Sequence, residues 1–223
     1  MDIYERLNKM DKRYRRYHWF VMRAFVRTVR RHLTGRRAKR ILDVGTGTGT
    51  AAIRIRELLP GSLVCGLDKN ELLIRLASEK SGASQRGYFL VGDVEKLPFR
   101  EDVFDCVMGK VTLCYWNKPL EGLAEIKRVM KKDAVGIFLE QNPRSLVARL
   151  YSALRIGNFV FLGLPKDKSF GAVFSPAFSL GISYVPKSLR QMLQQTGANY
   201  ISIKKRLWGS FFLIVFDFSP QKS

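Results

Sequence analysis

The sequence lacks any apolar run long enough to cross a bilayer, which takes about 18 consecutive apolar residues. Its first residues are polar and basic, and no apolar stretch follows them, so a secretory signal is not expected. The three cysteines, Cys65, Cys106 and Cys114, form no Cys-x-x-Cys pair and lie in apolar segments. A scattered, odd count favours reduced core thiols over disulfides or a zinc site. We therefore expect a cytoplasmic protein without a bound metal.

Acidic residues and histidines are also scarce. The chain carries 39 Lys and Arg against 19 Asp and Glu, a formal net charge of +20, and it has only two histidines. Residues 1–40 hold fourteen of the basic side chains and three acidic ones. This balance favours anionic partners, either nucleic acid or an anionic membrane face. The alternative is a basic surface that serves only solubility.

The length of 223 residues predicts one domain with an appendage: a basic N-terminal arm, residues 1–35, and a domain over residues 36–223. Residues 12–34 have helical spacing. An apolar face stands opposite a row of arginines: Tyr14, Tyr17, His18, Val21, Phe25, Val29 and Leu33 against Arg16, Arg23, Arg27 and Arg30. Trp19 and Phe20 fall toward the basic side, as is typical of a helix at a membrane interface. A helix that only packs on the domain is the alternative.

A glycine-rich stretch, ILDVGTGTGT over residues 41–50, follows the arm. Ile41 to Val44 predicts a short buried strand ending beside Asp43, and a helix is expected from Thr50, with Thr48 or Thr50 as its cap. Alternate glycines permit a sharp turn and the close approach of a ligand. The free N–H groups of the helix would attract anionic groups. The stretch predicts the ligand-binding corner of an open α/β sheet, with a ligand-free tight turn as the alternative.

Apolar runs and helical periods alternate along the rest of the chain. Further strands are predicted at 62–67, 87–91, 102–108, 134–140, 200–207 and 211–218, and helices at 50–59, 70–80, 118–131 and 188–195. The short turn between the last two strands makes them antiparallel. The predicted fold is α/β: a Rossmann-like, seven-stranded, mostly parallel sheet with a C-terminal antiparallel hairpin and helices on both faces. Residues 156–185, rich in Phe and Gly without a period, are expected to form a lid-like insertion or a docked cover.

Four motifs together resemble one family. They are Asp43–Gly49, Asp68 at the end of the second strand, Gly92-Asp93-Val94 and Leu97-Pro98-Phe99. With them the sequence resembles the class I S-adenosyl-L-methionine-dependent methyltransferases. It is most similar to their small-molecule branch, which includes the ubiquinone/menaquinone biosynthesis C-methyltransferases. The resemblance is specific over residues 38–140 and holds only in outline elsewhere. It implies S-adenosyl-L-methionine as cofactor.

The resemblance implies a cofactor-binding role for each matching position: Asp43, Gly45, Thr46, Gly47, Gly49, Asp68, Lys69, Asp93, Val94 and Lys110. The Gly45–Gly49 turn would approach the methionine part, with Asp43 toward its amino group. Asp68 would hold the ribose hydroxyls, as an acid closing the second strand does in nucleotide folds. Capping the next helix is its alternative role.

The same resemblance implies an adenine site formed by the next strand. Asp93 would take the adenine amino group, and the Val94 backbone N–H would meet the ring. Leu67 and Val94 are expected to sandwich the adenine. Lys110 and Val111 would flank the methionine portion.

Other functions stay open from the sequence alone. Gly47, Gly49 and Ala52 fit the Gly-x-Gly-x-x-Ala spacing of nicotinamide dehydrogenases, although the Gly92–Phe99 segment and the closing hairpin favour methyl transfer. An RNA methyltransferase tethered by the arm is a second alternative. A cofactor-binding module that supports a partner protein is a third.

The acceptor is less well defined than the cofactor. The segment after the fourth strand, residues 109–115, lacks the Asn/Asp-Pro-Pro-aromatic set typical of adenine or amide methylation in this fold. A small, hydrophobic or membrane-associated acceptor is therefore our leading hypothesis. No catalytic base is assigned, because a base is needed only if the acceptor loses a proton early. Candidate acceptor contacts are Tyr14, Tyr17, His18 and Tyr115, with Glu140 as a further candidate.

Overall fold

The computed structural model describes residues 4–5, 8–9, 12, 19–35, 40–82, 88–142, 144–145, 184–207 and 209–219. Seven strands form one sheet in the order β3-β2-β1-β4-β5-β7-β6. The strands are β1 (Arg40–Val44), β2 (Leu63–Asp68), β3 (Tyr88–Val91), β4 (Phe104–Lys110), β5 (Met130–Gln141), β6 (Tyr200–Arg206) and β7 (Phe211–Asp217). The first five run parallel, and β7 pairs antiparallel with both β5 and β6. The predicted fold class is confirmed.

Five α-helices have described bounds: α1 (Trp19–Leu33), α2 (Thr50–Leu58), α3 (Glu71–Ser81), α4 (Pro119–Val129) and α5 (Pro186–Gln195). Residues 4–5, 8–9 and 12 are also helical. None of the described helices is long and apolar enough to span a bilayer. Of the helix predicted over 12–34, residues 19–33 are described as α1 and Lys12 is also helical, whereas residues 13–18 lie outside the described residues. The expected lid over 156–185 lies outside the described residues, apart from its last two positions.

The sheet separates two hydrophobic cores, because alternate side chains of each strand point to opposite faces. On β7, Phe212, Ile214 and Phe216 enter one core with residues of α4 and α5. Phe211, Leu213 and Val215 enter the other core with residues of α1 and α2. The central strands are buried almost throughout, as expected for parallel strands covered on both faces. All three cysteines are free and buried, as the sequence predicts.

Two local expectations were wrong. The start of α2 has no side-chain cap from Thr48 or Thr50, because Gly49 occupies the cap position in the left-handed conformation (φ 73°). The predicted helix 118–131 ends at Val129, where Met130 becomes extended and pairs with Phe104 on β4. Helical spacing of apolar residues cannot reveal this long-range strand pair.

Candidate cofactor-binding site

The candidate site lies at the carboxyl ends of the parallel strands, where the strand order reverses between β1 and β4. Open α/β sheets bind their ligands at this kind of switch point. Asp43 near the end of β1 is in register with Gly66 on β2 and with Met108 on β4. Asp68 ends β2 and Lys110 ends β4. The fold therefore brings these predicted residues to one edge.

The turn after β1 is built from left-handed glycines. Gly45, Gly47 and Gly49 have φ values of 64°, 56° and 73°. The Thr46 N–H donates to the Leu67 carbonyl at 3.0 Å, and the Gly49 N–H donates to the Thr46 carbonyl at 3.0 Å. A Cβ on Gly47 would meet nothing within 4 Å. The middle of the turn thus has open space above it, as a cradle for a ligand requires.

Asp43 lies beneath this turn, with only 1% of its surface exposed. The Thr46 hydroxyl donates to Asp43 Oδ2 at 2.7 Å. Burial raises the pKa of Asp43 to about 7, while the Thr46 hydrogen bond and the Lys110 charge act in the opposite direction. The sequence predicts that this carboxyl faces the cleft. The structure shows that it also holds the glycine turn from below, through the hydrogen bond from Thr46.

Asp68 holds the same turn from the side. Its Oδ2 accepts the Gly47 N–H at 2.9 Å, and its Oδ1 accepts the Asn70 N–H at 2.9 Å. Burial raises the pKa of Asp68, and these backbone hydrogen bonds oppose the rise. Helix α3 is capped by Asn70, whose Oδ1 accepts the N–H groups of Leu72 and Leu73. The capping role considered for Asp68 therefore belongs to Asn70, and Lys69 between them is exposed.

The segment after β3 presents one exposed and one buried candidate. Asp93 is exposed, and its Oδ1 accepts the Glu95 N–H at 2.9 Å. Val94 and Leu67 are buried in the same core cluster. The Gly92 N–H donates to the Asp68 carbonyl at 3.0 Å, which joins this segment to the end of β2. The positions with implied adenine and ribose roles are therefore adjacent.

The Leu97-Pro98-Phe99 motif is held by an ion pair on α4. Arg128 donates to the Leu97 and Phe99 carbonyls and to the Glu125 carboxylate. Glu125 Oε2 in turn accepts the Leu97 N–H at 2.8 Å. The Glu125–Arg128 ion pair therefore fixes this motif, which lies in the loop between β3 and β4.

The segment after β4 begins with a residue whose backbone strain the sequence did not reveal. Val111 has φ 54°, a left-handed conformation that costs a β-branched residue about 1–3 kcal/mol. Its N–H donates to the Leu139 carbonyl at 2.8 Å. The next two N–H groups, of Thr112 and Leu113, donate to Glu140 Oε1 at 3.0 and 3.1 Å. The end of β5 thus fixes three successive N–H groups and maintains the strain beside the glycine turn.

Thr112 connects this segment to the glycine turn. A Cβ added to Gly45 would lie 2.7 Å from Thr112 Cβ, so only glycine fits there. Trp116 Nε1 donates to Thr112 Oγ1 at 3.1 Å, which fixes the threonine rotamer. Neither Thr112 nor Trp116 belongs to a recognisable motif, so only their packing reveals this role.

The remaining candidates are placed unevenly. Lys110 and Tyr115 are both half-buried, and Lys110 lies close enough to Asp43 and Glu140 for its charge to oppose the effect of burial on both. Tyr14, Tyr17 and His18 lie outside the described residues. Among the described residues, no group of His, Cys, Asp and Glu could hold a metal ion.

Glu140 gives a pH-dependent prediction. Burial raises its pKa from 4.5 to about 7. The pKa of Glu140 is higher in the folded state than in the unfolded state. The contribution of Glu140 to the stability of the protein is therefore fully present below about pH 4.5 and is lost as the pH rises to about 7. Glu140→Gln keeps an Oε1 acceptor but does not titrate. As the pH rises from 4.5 to about 7, we expect the free energy of unfolding of the variant, minus that of wild type, to increase by about 3 kcal/mol. Urea denaturation at a series of pH values measures this difference.

Glu125→Gln is the matched control, because the pKa shift of Glu125 is opposite in direction to that of Glu140. The Arg128 hydrogen bond lowers the pKa of Glu125. Its stabilising effect is therefore present at neutral pH and is lost as the pH falls through the lowered pKa. Parallel pH profiles for the two variants would contradict the assignment of a buried, protonatable Glu140.

Comparisons with known proteins agree with this geometry. The family model of the methyltransferase domain matches residues 42–138. A demethylmenaquinone methyltransferase from Deinococcus radiodurans is 32% identical over 168 residues, covering 71% of this chain and 67% of that protein. One from Thermus thermophilus is 30% identical over 164 residues, covering 71% of this chain and 74% of that protein.

A shorter match concerns another kind of methyltransferase. A malonyl-[acyl-carrier protein] O-methyltransferase from Geobacter sulfurreducens is 33% identical over 99 residues, covering 44% of this chain and 37% of that protein. The chain therefore spans little more than a third of that relative, and the match falls short of its full length.

Solved structures match nearly the whole chain. A SAM-dependent methyltransferase from Thermotoga maritima has a TM-score of 0.70 at 18% identity, covering 97% of this chain and 99% of that one. At this identity the likeness shows the fold alone. The family assignment rests on the two demethylmenaquinone methyltransferases above. These relatives give no support to the nicotinamide dehydrogenase alternative. The chain therefore belongs to the class I S-adenosyl-L-methionine-dependent methyltransferases and resembles, within them, the ubiquinone and menaquinone biosynthesis methyltransferases.

Proposed function

We propose that this methyltransferase acts on a small, hydrophobic acceptor of the demethylated quinone type. The observation that carries the proposal is the pair of demethylmenaquinone methyltransferases that match this chain over most of both lengths. Both matches are longer than the stretch over residues 38–140 that carries the cofactor-binding motifs. Apolar residues 156–185 supply a segment suited to covering such an acceptor.

We further propose that the residues at the edge of the sheet hold the cofactor as the resemblance implies. The left-handed turn Gly45–Gly49 leaves open space above Gly47, which fits the close approach of a ligand. Asp43 and Asp68 supply carboxylates beside that space, for an amino group and for ribose hydroxyls. Asp93 and Val94 serve the adenine, and Lys110 ends β4 beside the methionine part.

When bound, S-adenosyl-L-methionine supplies a methyl group already activated on a sulfonium. The protein's own contribution is then alignment of the acceptor and exclusion of water. Tyr115 follows Thr112 in the fixed segment after β4, which makes it the described candidate for acceptor contact. Tyr184 is a second one: it is half-buried and packs against the core cluster that contains Leu113, which also lies in this segment.

The arm, residues 1–35, is proposed as a separate functional unit on the domain 36–223. Its charge suits an anionic membrane, which would place the protein peripherally at the surface where a hydrophobic acceptor is dissolved. RNA tethering is the competing use of the same charge.

Incubation with methyl-labelled cofactor tests the proposed function. A short-chain demethylmenaquinol in detergent should accept label from the wild-type protein, and Asp68→Ala should lower the transfer by on the order of 100-fold at limiting cofactor. Parallel incubations with total RNA and with malonyl-acyl carrier protein serve as competing acceptors. Label entering RNA instead would contradict the proposal. Tight cofactor binding with no label in any acceptor would favour a non-catalytic module that supports a partner.

A further inference from the structure

The outward face of α1 is basic and forms no ion pair with any described residue. Arg23, Arg27 and Arg30 are exposed and follow one another at helical spacing. The helix carries no acidic residue, and its last turn adds Arg31 and His32. The three arginines therefore present their charge to solvent, where it attracts an anionic surface.

The opposite face fixes this orientation. Phe25, Val26, Val29 and Leu33 are at most 2% exposed and pack in the core with residues of α2 and β5. Burial of these four apolar side chains stabilises the helix on the domain. Rotation that hides the arginines would expose these side chains, so the basic face stays outward.

Two large aromatic side chains stand at the start of the same helix. Trp19 is 48% exposed and Phe20 is 71% exposed. Their rings meet edge to face, with centroids 4.7 Å apart. The Arg23 guanidinium lies over the Trp19 ring at 5.0 Å. Exposed aromatics beside cations on one helix are typical of segments that rest in the headgroup region of a bilayer.

The arrangement favours lipid over RNA as the partner. Stacking of a base requires a free aromatic face. Arg23 lies over one face of Trp19, and the edge-to-face contact holds Trp19 and Phe20 together as one apolar unit. Insertion of an aromatic pair among headgroups needs only apolar bulk, with the cations held at phosphate level. The cluster meets that requirement as it stands.

We propose that the outer face of α1, defined by Trp19, Phe20, Arg23, Arg27 and Arg30, binds an anionic lipid bilayer. The arginines attract the headgroup phosphates, and the two aromatics enter the interface. The link to a lipid-dissolved acceptor rests on the proposed function, whereas the bilayer contact itself does not. Its test therefore uses neither acceptor nor methyl donor.

Vesicle sedimentation with the full chain measures this contact. Vesicles of equal parts phosphatidylcholine and phosphatidylglycerol should bind the protein at low salt, and phosphatidylcholine alone should not. Replacing Arg23, Arg27 and Arg30 with Gln should weaken binding about 100-fold, since each basic residue near an anionic surface contributes about a factor of five. Replacing Trp19 and Phe20 with Ala should weaken it about tenfold or more and leave the salt dependence unchanged.

Lys204, Lys205 and Arg206 provide a matched control. They are exposed on the edge strand β6, and their replacement with Gln removes the same charge from a different surface. This control should change vesicle affinity by less than about threefold. Thermal unfolding of all variants checks that the fold is retained, as expected for exposed positions.

Three results would overturn the proposal. The first is no binding to anionic vesicles at low salt, and the second is an equal loss in the two triple variants. The third is a loss of affinity for polyuridylic acid, but not for vesicles, when the α1 arginines are replaced. Failure of methyl transfer with intact vesicle binding would instead count against the proposed function alone.

Discussion

Replacing Gly45 with alanine is expected to lower the free energy of unfolding by about 2–5 kcal/mol. Gly45 has φ 64°, and the left-handed conformation costs an alanine about 1–2 kcal/mol. The new Cβ would also lie 2.7 Å from Thr112 Cβ, and overpacking of this kind costs about 1–3 kcal/mol. Thr112 cannot move away easily, because Trp116 and Glu140 hold its hydroxyl and its N–H. Urea denaturation measures the change.

Gly47→Ala separates the two causes. Gly47 has a similar φ of 56°, but its Cβ would meet nothing within 4 Å. This variant should therefore lose only the conformational cost, about 1–2 kcal/mol. Equal losses at Gly45 and Gly47 would show that contact with Thr112 does not explain the glycine at position 45.

Replacing Asp68 with alanine is expected to lower cofactor affinity by on the order of 100-fold. The loss has two physical sources: hydrogen bonds from ligand hydroxyls to a carboxylate contribute about 1.5–3 kcal/mol each, and the Gly47 N–H loses the acceptor that positions the turn. Calorimetric titration with S-adenosylhomocysteine measures the affinity without turnover. Burial raises the pKa of Asp68, so the two proteins are compared at the same pH.

Asn70→Ala is the neighbouring control. It removes the cap of α3, which costs about 1 kcal/mol of stability, while Asp68 keeps its contact with the Gly47 N–H. Its cofactor affinity should stay within about threefold of wild type. Unchanged affinity of Asp68→Ala would restrict Asp68 to a structural role in the turn and would remove the proposed ribose contact.

Much of the fold could be predicted because strands and helices are encoded by local patterns. The strand predicted at 62–67 is present as Leu63–Asp68, and that predicted at 211–218 as Phe211–Asp217. Boundaries were less accurate. The strand predicted at 134–140 begins at Met130, because its first residue pairs with Phe104 on β4. Such pairing depends on residues distant in the chain and leaves no local signal.

The candidate site, too, could be predicted from the sequence only in part. The glycine turn and the acids that end β1 and β2 are recognisable because each motif is continuous in the sequence. The strain at Val111 and the support of its segment by Leu139 and Glu140 could not be recognised, because the three N–H groups follow β4 and their acceptors lie on β5. Val111 is an ordinary β-branched residue at the end of an apolar strand, and only its φ of 54° marks it.

The sequence by itself determined the α/β class, the order of strands and helices, the glycine turn of the candidate site and the two faces of α1. These follow from periodicity and glycine spacing, which act over a few neighbouring residues. Only the tertiary structure decided that Glu140 holds the segment after β4, that Thr112 fills the space beside Gly45, and that Asp43 is buried beneath the turn. Those contacts arise where parallel strands end at a common edge, and their energies depend on burial and packing, which no local pattern records.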